Sequence, residues 1–559
     1  MFLLISIKTD FMEILGISHL APSPFGHDSA VALLDEDSNL FAISEERLSR
    51  VKHDGSYPSS AIQSCLKQSN SRLSEIDKIS IGFGLEEKRV GHRINEQFCC
   101  YAKESTLFNR TTIGEKNPPF YDHQYIHART SYALSGFKKA LVISCDGAGI
   151  DNEKFNSGGI FIVDNGKISP IKYFPLDVSL GLTYGAITEI CGFKMTDGEG
   201  KTMTLAPMAE NESKSDKEKI YEHMCKVFPN FNGTNPRSNG GVTLDAKILH
   251  DFALYEVLDT RLLLLKRLYN RNLIAWAAQK RLEEIVIKII NSAVDATGIK
   301  NLAFSGGVFL NMIMNMKIRQ KFGDKLHLFF NPICTDHGNA IGSVLEQYYQ
   351  ETGKNITFPY MSLYLGSSYS DEEVMANAKK FNFKVNKVNK VDTAIDLIES
   401  GKVIGWFQGR SEFGPRGLGN RSILALPTEQ KYKDKVNEKV KKRESWRPFC
   451  PTIIEEKSSK FLKDPSYAPY MILGFEMKNP ELYPAVTHID GTCRPQILKK
   501  DVNPDFYEVV RGLDGIVLNT SFNLAGDPIV ETPHDALMTL KNSEMDALLM
   551  NDYLIEKYA

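Results

Sequence analysis

The sequence predicts an α/β fold in two domains, and three observations predict it. Short apolar runs end in an aspartate or a glycine turn, KALVIS before Asp146, NLAFS before Gly306-Gly307 and HLFFNPIC before Asp336, and the last two open into helical patterns. Strand, turn and helix in that alternation are the marks of α/β architecture. Around Gly353 to Ser370 the pattern loosens, which divides the chain into residues 1–365 and 370–559. Beyond that boundary, residues 401–425, 437–451, 491–496 and 515–537 each join a strand to a loop bearing Arg, Lys, Asn or Ser.

At 559 residues the chain is long enough for two full cores. Its 42% hydrophobic and 24% charged residues are those of an ordinary soluble protein, and a net charge of −2 carries no nucleic-acid or membrane-surface signature. Nine cysteines without a C-x-x-C pair point to a reducing compartment. No run reaches the length of a membrane-spanning helix, and MFLLISIKTDF is too short for a signal segment. A cytoplasmic protein is expected, with residues 1–11 an extension.

Met12 to Ser18 and Ala30 to Leu34 read as strands, and His27 and Asp28 enter the second of them where they can face a cleft. Phe41 to Ser44 pairs with that strand across DEDSN. The next segment, SEERLSRVKHDGSYPSSAI, is dense in charge through Glu46, Arg47, Arg50, Lys52 and His53. A solvated loop is the expectation for such a run. Pro58 then starts a helix.

His123 and His127 stand four residues apart in a helical segment, so both imidazoles share one face. KALVIS delivers Asp146 at its end, and Asp336 stands where a second apolar run opens a helix. Two imidazoles and two carboxylates suit Fe²⁺, Mn²⁺ or Zn²⁺. The alternative is a pair of hydrogen-bonded histidines on a buried helix. SGGIFIVDNGKISPIKYF is a hairpin turning at Asp164-Asn165-Gly166. Residues 181–191 and most of 245–298 are helical in period. Ser305, Gly306 and Gly307 break a buried strand into a helix, a turn whose N–H groups can cradle a nucleotide phosphate. Hairpins, strands and helices in two halves resemble the two-lobed ATPases of the actin, sugar-kinase and heat-shock type.

In the second domain the glycine- and arginine-rich loops suit a small oxyanion, because guanidinium donates in pairs and backbone amides supply the rest. Arg416, Arg421 and Arg447 lie beside Gly or Pro rather than on amphipathic helices.

GHDSAVALL, EERLSRVKH, DHQYIHA, SGGVFLN, FGPRGLGNRSILA, KKRESWRPF and LNTSFNLAGDPIVETPHDA follow one another in that order over nearly the whole chain. Together they resemble the O-carbamoyltransferase family of nodulation-factor and antibiotic biosynthesis. The resemblance implies an N-terminal ATPase-like domain similar to the tRNA threonylcarbamoyl-transfer proteins and a C-terminal YrdC-like domain. It implies a reaction of ATP, with Mg²⁺, and carbamoyl phosphate to carbamoyl-adenylate, then transfer to a hydroxyl of a small molecule such as a sugar or natural product. It places iron or a similar divalent ion on His123, His127, Asp146 and Asp336. It puts nucleotide against Ser305, Gly306, Gly307 and Val308, and donor chemistry at Arg416, Lys441, Arg447, Arg494, Asn519, Ser521 and Asn523. His27 matches a histidine near the acceptor, and a role as general base stands beside a plain loop hydrogen bond. No nucleic acid or membrane partner is expected, and a homodimer is allowed.

Three departures stand out. Gln124 replaces a histidine of the usual D-H-H-x-x-H-A. His337-Gly338 stands where two glycines are usual, which would crowd the nucleotide or add a ligand. LAPSPFG, ahead of His27, has no acidic residue for a cationic acceptor. Two rivals remain: a threonylcarbamoyl-type tRNA enzyme, disfavoured by the missing basic stripe, and a nucleotide-regulated binding protein, which needs neither the histidine pair nor the arginine loops.

Overall fold

A computed structural model describes residues 12–18, 27–82, 118–152, 154–228 and 260–558. The first sheet comprises β1 (Ile14–Ile17), β2 (Ala30–Leu34), β3 (Leu40–Ser44) and β4 (Lys78–Ile81) in the order β3-β2-β1-β4. The second comprises β5 (Lys139–Asp151), β6 (Lys154–Asp164), β7 (Lys167–Pro175), β8 (Asn301–Ser305) and β9 (His327–Phe330) in the order β7-β6-β5-β8-β9. Both repeat one plan. An antiparallel meander opens each half, and its first strand then takes a parallel neighbour from later in the chain, β4 on β1 and β8 on β5.

Helix His123–Ser135 packs on β5 and β8, while helix Gly338–Thr352 packs on β1 and β2. The two helices lie against each other, so they form the double layer between the sheets. A buried ion pair joins them. Arg129 Nε donates to Glu346 Oε2 at 2.6 Å, and both side chains are about 1% exposed.

The third sheet belongs to the C-terminal part. Its strands are β10 (Phe383–Lys387), β11 (Ile404–Phe407), β12 (Arg421–Ala425), β13 (Cys450–Ile454), then, past the short ribbon β14 (Phe475–Glu476) and β15 (Thr492–Cys493), β16 (Gln496–Leu498), β17 (Ile516–Ser521), β18 (Ala547–Met550) and β19 (Tyr553–Lys557). They run β10-β19-β18-β11-β12-β17-β13-β16. Phe407, Ile423 and Leu518 face one core, and Trp406, Leu424 and Val517 the other. Burial on both faces is why these strands read as continuous apolar runs rather than alternating ones. The large N-terminal core takes in Phe413, Leu418 and Tyr470 to Ile472, so the junction between the two parts is itself apolar and packed.

Several elements differ from the sequence expectations. KALVIS does not end at Ser144: β5 continues to Asp151 through a register shift between Cys145 and Gly149. Asp146 therefore sits in a bulge, a device that re-aims a side chain within a strand. The hairpin of β6 and β7 turns on Asn165 (φ 47°) and Gly166 (φ 90°), the paired positive φ of a type I′ turn. Helices cover Leu180–Ile190, Thr260–Leu268 and Arg271–Thr297; residues 245–259, and 20–26 ahead of His27, lie outside the described ones. The charge-dense segment is no solvated loop: Glu45 and Arg47 are buried in a short helix, Glu45–Ser49.

Candidate active site

His123 and His127, one turn apart, bring their Nε2 atoms to 3.2 Å. The bulge of β5 sends Asp146 Oδ2 to 3.1 Å from His123 Nε2 and 3.5 Å from His127 Nε2. Asp336, just ahead of helix Gly338–Thr352, places Oδ1 3.5 and 3.3 Å from the same two nitrogens. All four donor atoms lie within 4.8 Å of one another. Both imidazoles are fully buried. Burial alone would lower the pKa of His127, yet the two carboxylates push it up to about 9. Asp146 is held well below the ordinary carboxylate range: burial opposes this and the two histidines prevail.

The outer partners fix these groups. Ser305 Oγ lies 3.3 Å from His127 Nδ1 and accepts from Asn331 Nδ2. Asn339 Nδ2 lies 3.4 Å from His123 Nδ1. Gly307 N–H donates to Asp146 Oδ1 at 3.0 Å. Gly306 has φ 89°, and a Cβ there would fall 2.1 Å from the carbonyl oxygen of Cys145. Only glycine permits that close approach of turn and bulge.

The donor set fits a divalent metal. Separations of 3.1–3.5 Å match neighbouring ligands on bonds of roughly 2.1 Å, and nitrogen with carboxylate oxygen suits a borderline ion. A neutral imidazole coordinating through Nε2 carries its proton on Nδ1, and Ser305 Oγ is placed to accept that proton's hydrogen bond from His127.

Beside this quartet, Asp28 gathers three histidines. Its carboxylate lies 3.2 Å from His27 Nδ1, 2.8 Å from His53 Nδ1 and 3.6 Å from His337 Nε2. His337 thus turns away from the quartet toward Asp28, and its Nδ1 meets Thr335 Oγ1 at 3.1 Å. For His27, burial lowers the pKa but Asp28 outweighs it, pushing it up to about 9. His53 goes up to about 10 for a like reason: burial is overcome by Asp197 and Asp28. Asp197 also pairs with Lys52.

The second cluster is cationic. Lys441 Nζ donates to Ser521 Oγ (3.1 Å) and Asn523 Oδ1 (2.8 Å). Arg494 Nε and Nη2 both point at Cys450 Sγ, at 3.3 Å each. Arg447 lies 3.7 Å from Glu444. Burial, then the neighbouring Arg494, brings Arg416 down to about 9. Lys441 is lowered well below the ordinary lysine value by burial and by Arg443, Arg447 and Lys52. The two clusters meet across the junction of the two parts, where Lys201 Nζ lies 3.2 Å from Glu444, the carboxylate beside Arg447, and Lys52 and Asp197 act on Lys441 and Arg447.

The structure brings together His123, His127, Asp146 and Asp336, with Ser305 and Gly307 beside them. It also brings together Arg416, Lys441, Arg447, Arg494, Ser521 and Asn523. Val308 packs into the large core, and Asn519 is buried within the third sheet, donating to Thr452 Oγ1 at 3.0 Å. His27 stands at Asp28, beside the quartet but not among its four donors. Sequence reasoning missed Arg443, Asp197 and the hub role of Asp28. Lys52 and His53 were visible as charges, but only tertiary contacts separate them from a solvated face.

Comparison with known proteins identifies a family. The profile described as Carbamoyltransferase N-terminus matches residues 13–104 and 86–345, and that described as Carbamoyltransferase C-terminus matches 395–557. The chain is thus an enzyme of the class that transfers carbamoyl groups. Nodulation protein NolNO of Sinorhizobium fredii is 31% identical over 96% of this chain and 80% of its own. An uncharacterised protein of Methanocaldococcus jannaschii is 34% identical over 95% of this chain and 98% of its own. A 3'-hydroxymethylcephem-O-carbamoyltransferase of Streptomyces clavuligerus is 24% identical over 94% and 97%. The chain belongs to the carbamoyltransferase family that includes these nodulation and cephem proteins. A full-length HypF in a phosphate- and nucleotide-bound form shares 13% identity over 62% of this chain and 57% of its own with a TM-score of 0.34, a likeness too slight to bear on the fold.

Proposed function

We propose that this protein is an ATP-dependent O-carbamoyltransferase with two adjoining half-sites. The carrying observation is that a cationic pocket built for anions abuts a histidine and aspartate site across one packed junction. In the pocket of the YrdC-like C-terminal domain, carbamoyl phosphate loses phosphate to water and leaves carbamate. The carbamate oxygen attacks the α-phosphorus of ATP, a carbamoyl-oxygen–phosphorus bond forms, and pyrophosphate departs with its Mg²⁺. Arg416, Arg447, Arg494 and Lys441 offset the charge that develops on the phosphates. Carbamate is a poor electrophile, and its adenylate supplies a good leaving group.

In the ATPase-like N-terminal domain, whose two lobes repeat one sheet plan, the hydroxyl oxygen of a small-molecule acceptor attacks the carbamoyl carbon and AMP leaves. His27 takes the hydroxyl proton on Nε2, since Nδ1 faces Asp28. His123, His127, Asp146 and Asp336 would hold a divalent ion, Fe²⁺ first, which supplies Lewis acidity toward phosphate and carbonyl oxygens. Ser305 orients His127 by accepting from its Nδ1–H.

The test is purified protein with α-labelled ATP, with and without carbamoyl phosphate. Pyrophosphate formed only when both are present is the expected result. AMP should follow when an alcohol acceptor is added. Nucleotide turnover indifferent to carbamoyl phosphate would refute the reading.

A further inference from the structure

The segment Glu45 to Asp54 belongs to the N-terminal domain by chain position, yet two of its side chains, Arg47 and Arg50, end on loops of the C-terminal one. Arg47, 2% exposed, donates from Nη2 to the carbonyls of Glu412 (3.2 Å) and Gly414 (2.8 Å). Those carbonyls open the loop that carries Arg416. Glu412 holds the same loop from inside, its Oε1 accepting the N–H groups of Leu418, Asn420 and Arg421 at 2.7, 2.8 and 3.0 Å. Arg50 donates to the carbonyls of Ile529 and Pro528, each at 2.8 Å. They close the loop that carries Asn523, a ligand of Lys441.

The segment is also fixed at its own end. Glu45 accepts from the N–H groups of Ser60 and Ala61, and Glu46 Oε2 from that of His53. Arg50 and His53 both hold positive φ, 63° and 56°. Such backbone persists in non-glycine residues only where its surroundings over-determine it. Immediately after Arg50, Lys52 and His53 reach Asp197 and Asp28 beside His27.

We propose that this segment is a strap by which the N-terminal domain shapes the donor pocket of the other domain. Arg47 and Arg50 are positioning residues: neither is placed on a reacting atom, and each fixes a pocket loop by two backbone carbonyls. Guanidinium suits the task because it donates in a planar fork, which lysine lacks. The inference rests on the two-half-site reading above.

The experiment compares wild type with Arg47→Met, Arg47→Lys and Arg50→Gln in three measurements. These are affinity for carbamoyl phosphate by calorimetry, carbamoyl-phosphate-dependent pyrophosphate formation, and transfer from chemically prepared carbamoyl-adenylate. A displaced loop should cut pyrophosphate formation by roughly 10–100-fold, as misplacement of a binding group by about 1 Å does. Carbamoyl-phosphate affinity should weaken about 10-fold for a loosened anion contact. Transfer from the supplied intermediate should be unchanged, and Arg47→Lys should fall between wild type and Arg47→Met. Parallel loss of both partial reactions would mean general disruption and overturn the strap, as would unchanged affinity and pyrophosphate formation. If wild type binds carbamoyl phosphate but forms no pyrophosphate, the adenylate reading fails, while the strap is still decided by the affinities. If Arg47→Met does not fold, Arg47→Lys and Arg50→Gln decide the same question.

Discussion

At the scale of single residues, His27 carries the clearest consequence. With its pKa up to about 9, it is protonated at neutral pH and becomes a base only as pH rises. Transfer from prepared carbamoyl-adenylate should therefore climb by about tenfold per pH unit between neutrality and pH 8 and level off near 9. Asp28→Asn removes the carboxylate that holds the proton, so the plateau should move to lower pH. A profile that ignores Asp28 would remove His27 from the role of base. His27→Ala should slow transfer by roughly 10²–10⁴-fold while pyrophosphate formation continues. The quartet makes a separate demand. His123→Ala or Asp336→Ala should lose bound metal, and Ser305→Ala, which frees only the outer nitrogen of His127, should weaken it by roughly 10–100-fold. Elemental analysis of the purified variants is the check; full occupancy in His123→Ala would dismiss the quartet as a metal site.

At the scale of elements, the metal candidates depend on how the two central helices are held. The His123 helix and the Gly338 helix are joined by Arg129 and Glu346, with Tyr125 Oη also donating to Glu346 at 3.0 Å. Arg129→Met would leave Glu346 buried with only the neutral donors Tyr125 and Gln350, at about 3–5 kcal/mol by the usual cost of breaking such a pair. A denaturant titration should show that loss. A double substitution that also removes the Glu346 charge should recover part of it. The bulge of β5 is the other constraint. A Cβ at Gly149 would lie 2.2 Å from the His123 ring, so Gly149→Ala should push the imidazole aside and lower metal content. The apolar period of these elements was readable in the sequence. The bulge was not, because no residue in CDGAG announces where pairing with β6 slips.

At the scale of the whole molecule, division of labour between the domains is the testable property. Arg447→Ala removes a partly buried anion contact, worth about 2–5 kcal/mol in comparable charge pairs, and should abolish pyrophosphate formation. Prepared carbamoyl-adenylate should rescue that variant but not His27→Ala. Rescue of both, or of neither, would overturn the relay between half-sites.

The sequence by itself determined the α/β class, the family and the histidine–aspartate quartet. Each is written locally: strands and helices in their periods, H-x-x-x-H within one turn, and aspartates following apolar runs. Tertiary structure alone decided that Asp28 gathers His27, His53 and His337, that Asn519 belongs to a sheet interior while Ser521 and Asn523 serve Lys441, and that Arg47 and Arg50 hold loops more than 360 residues away. A charged side chain in a sequence has the same symbol whether water or a carbonyl receives its proton. Only the packed chain says which, because desolvation and hydrogen-bond geometry arise from neighbours that sequence distance does not order.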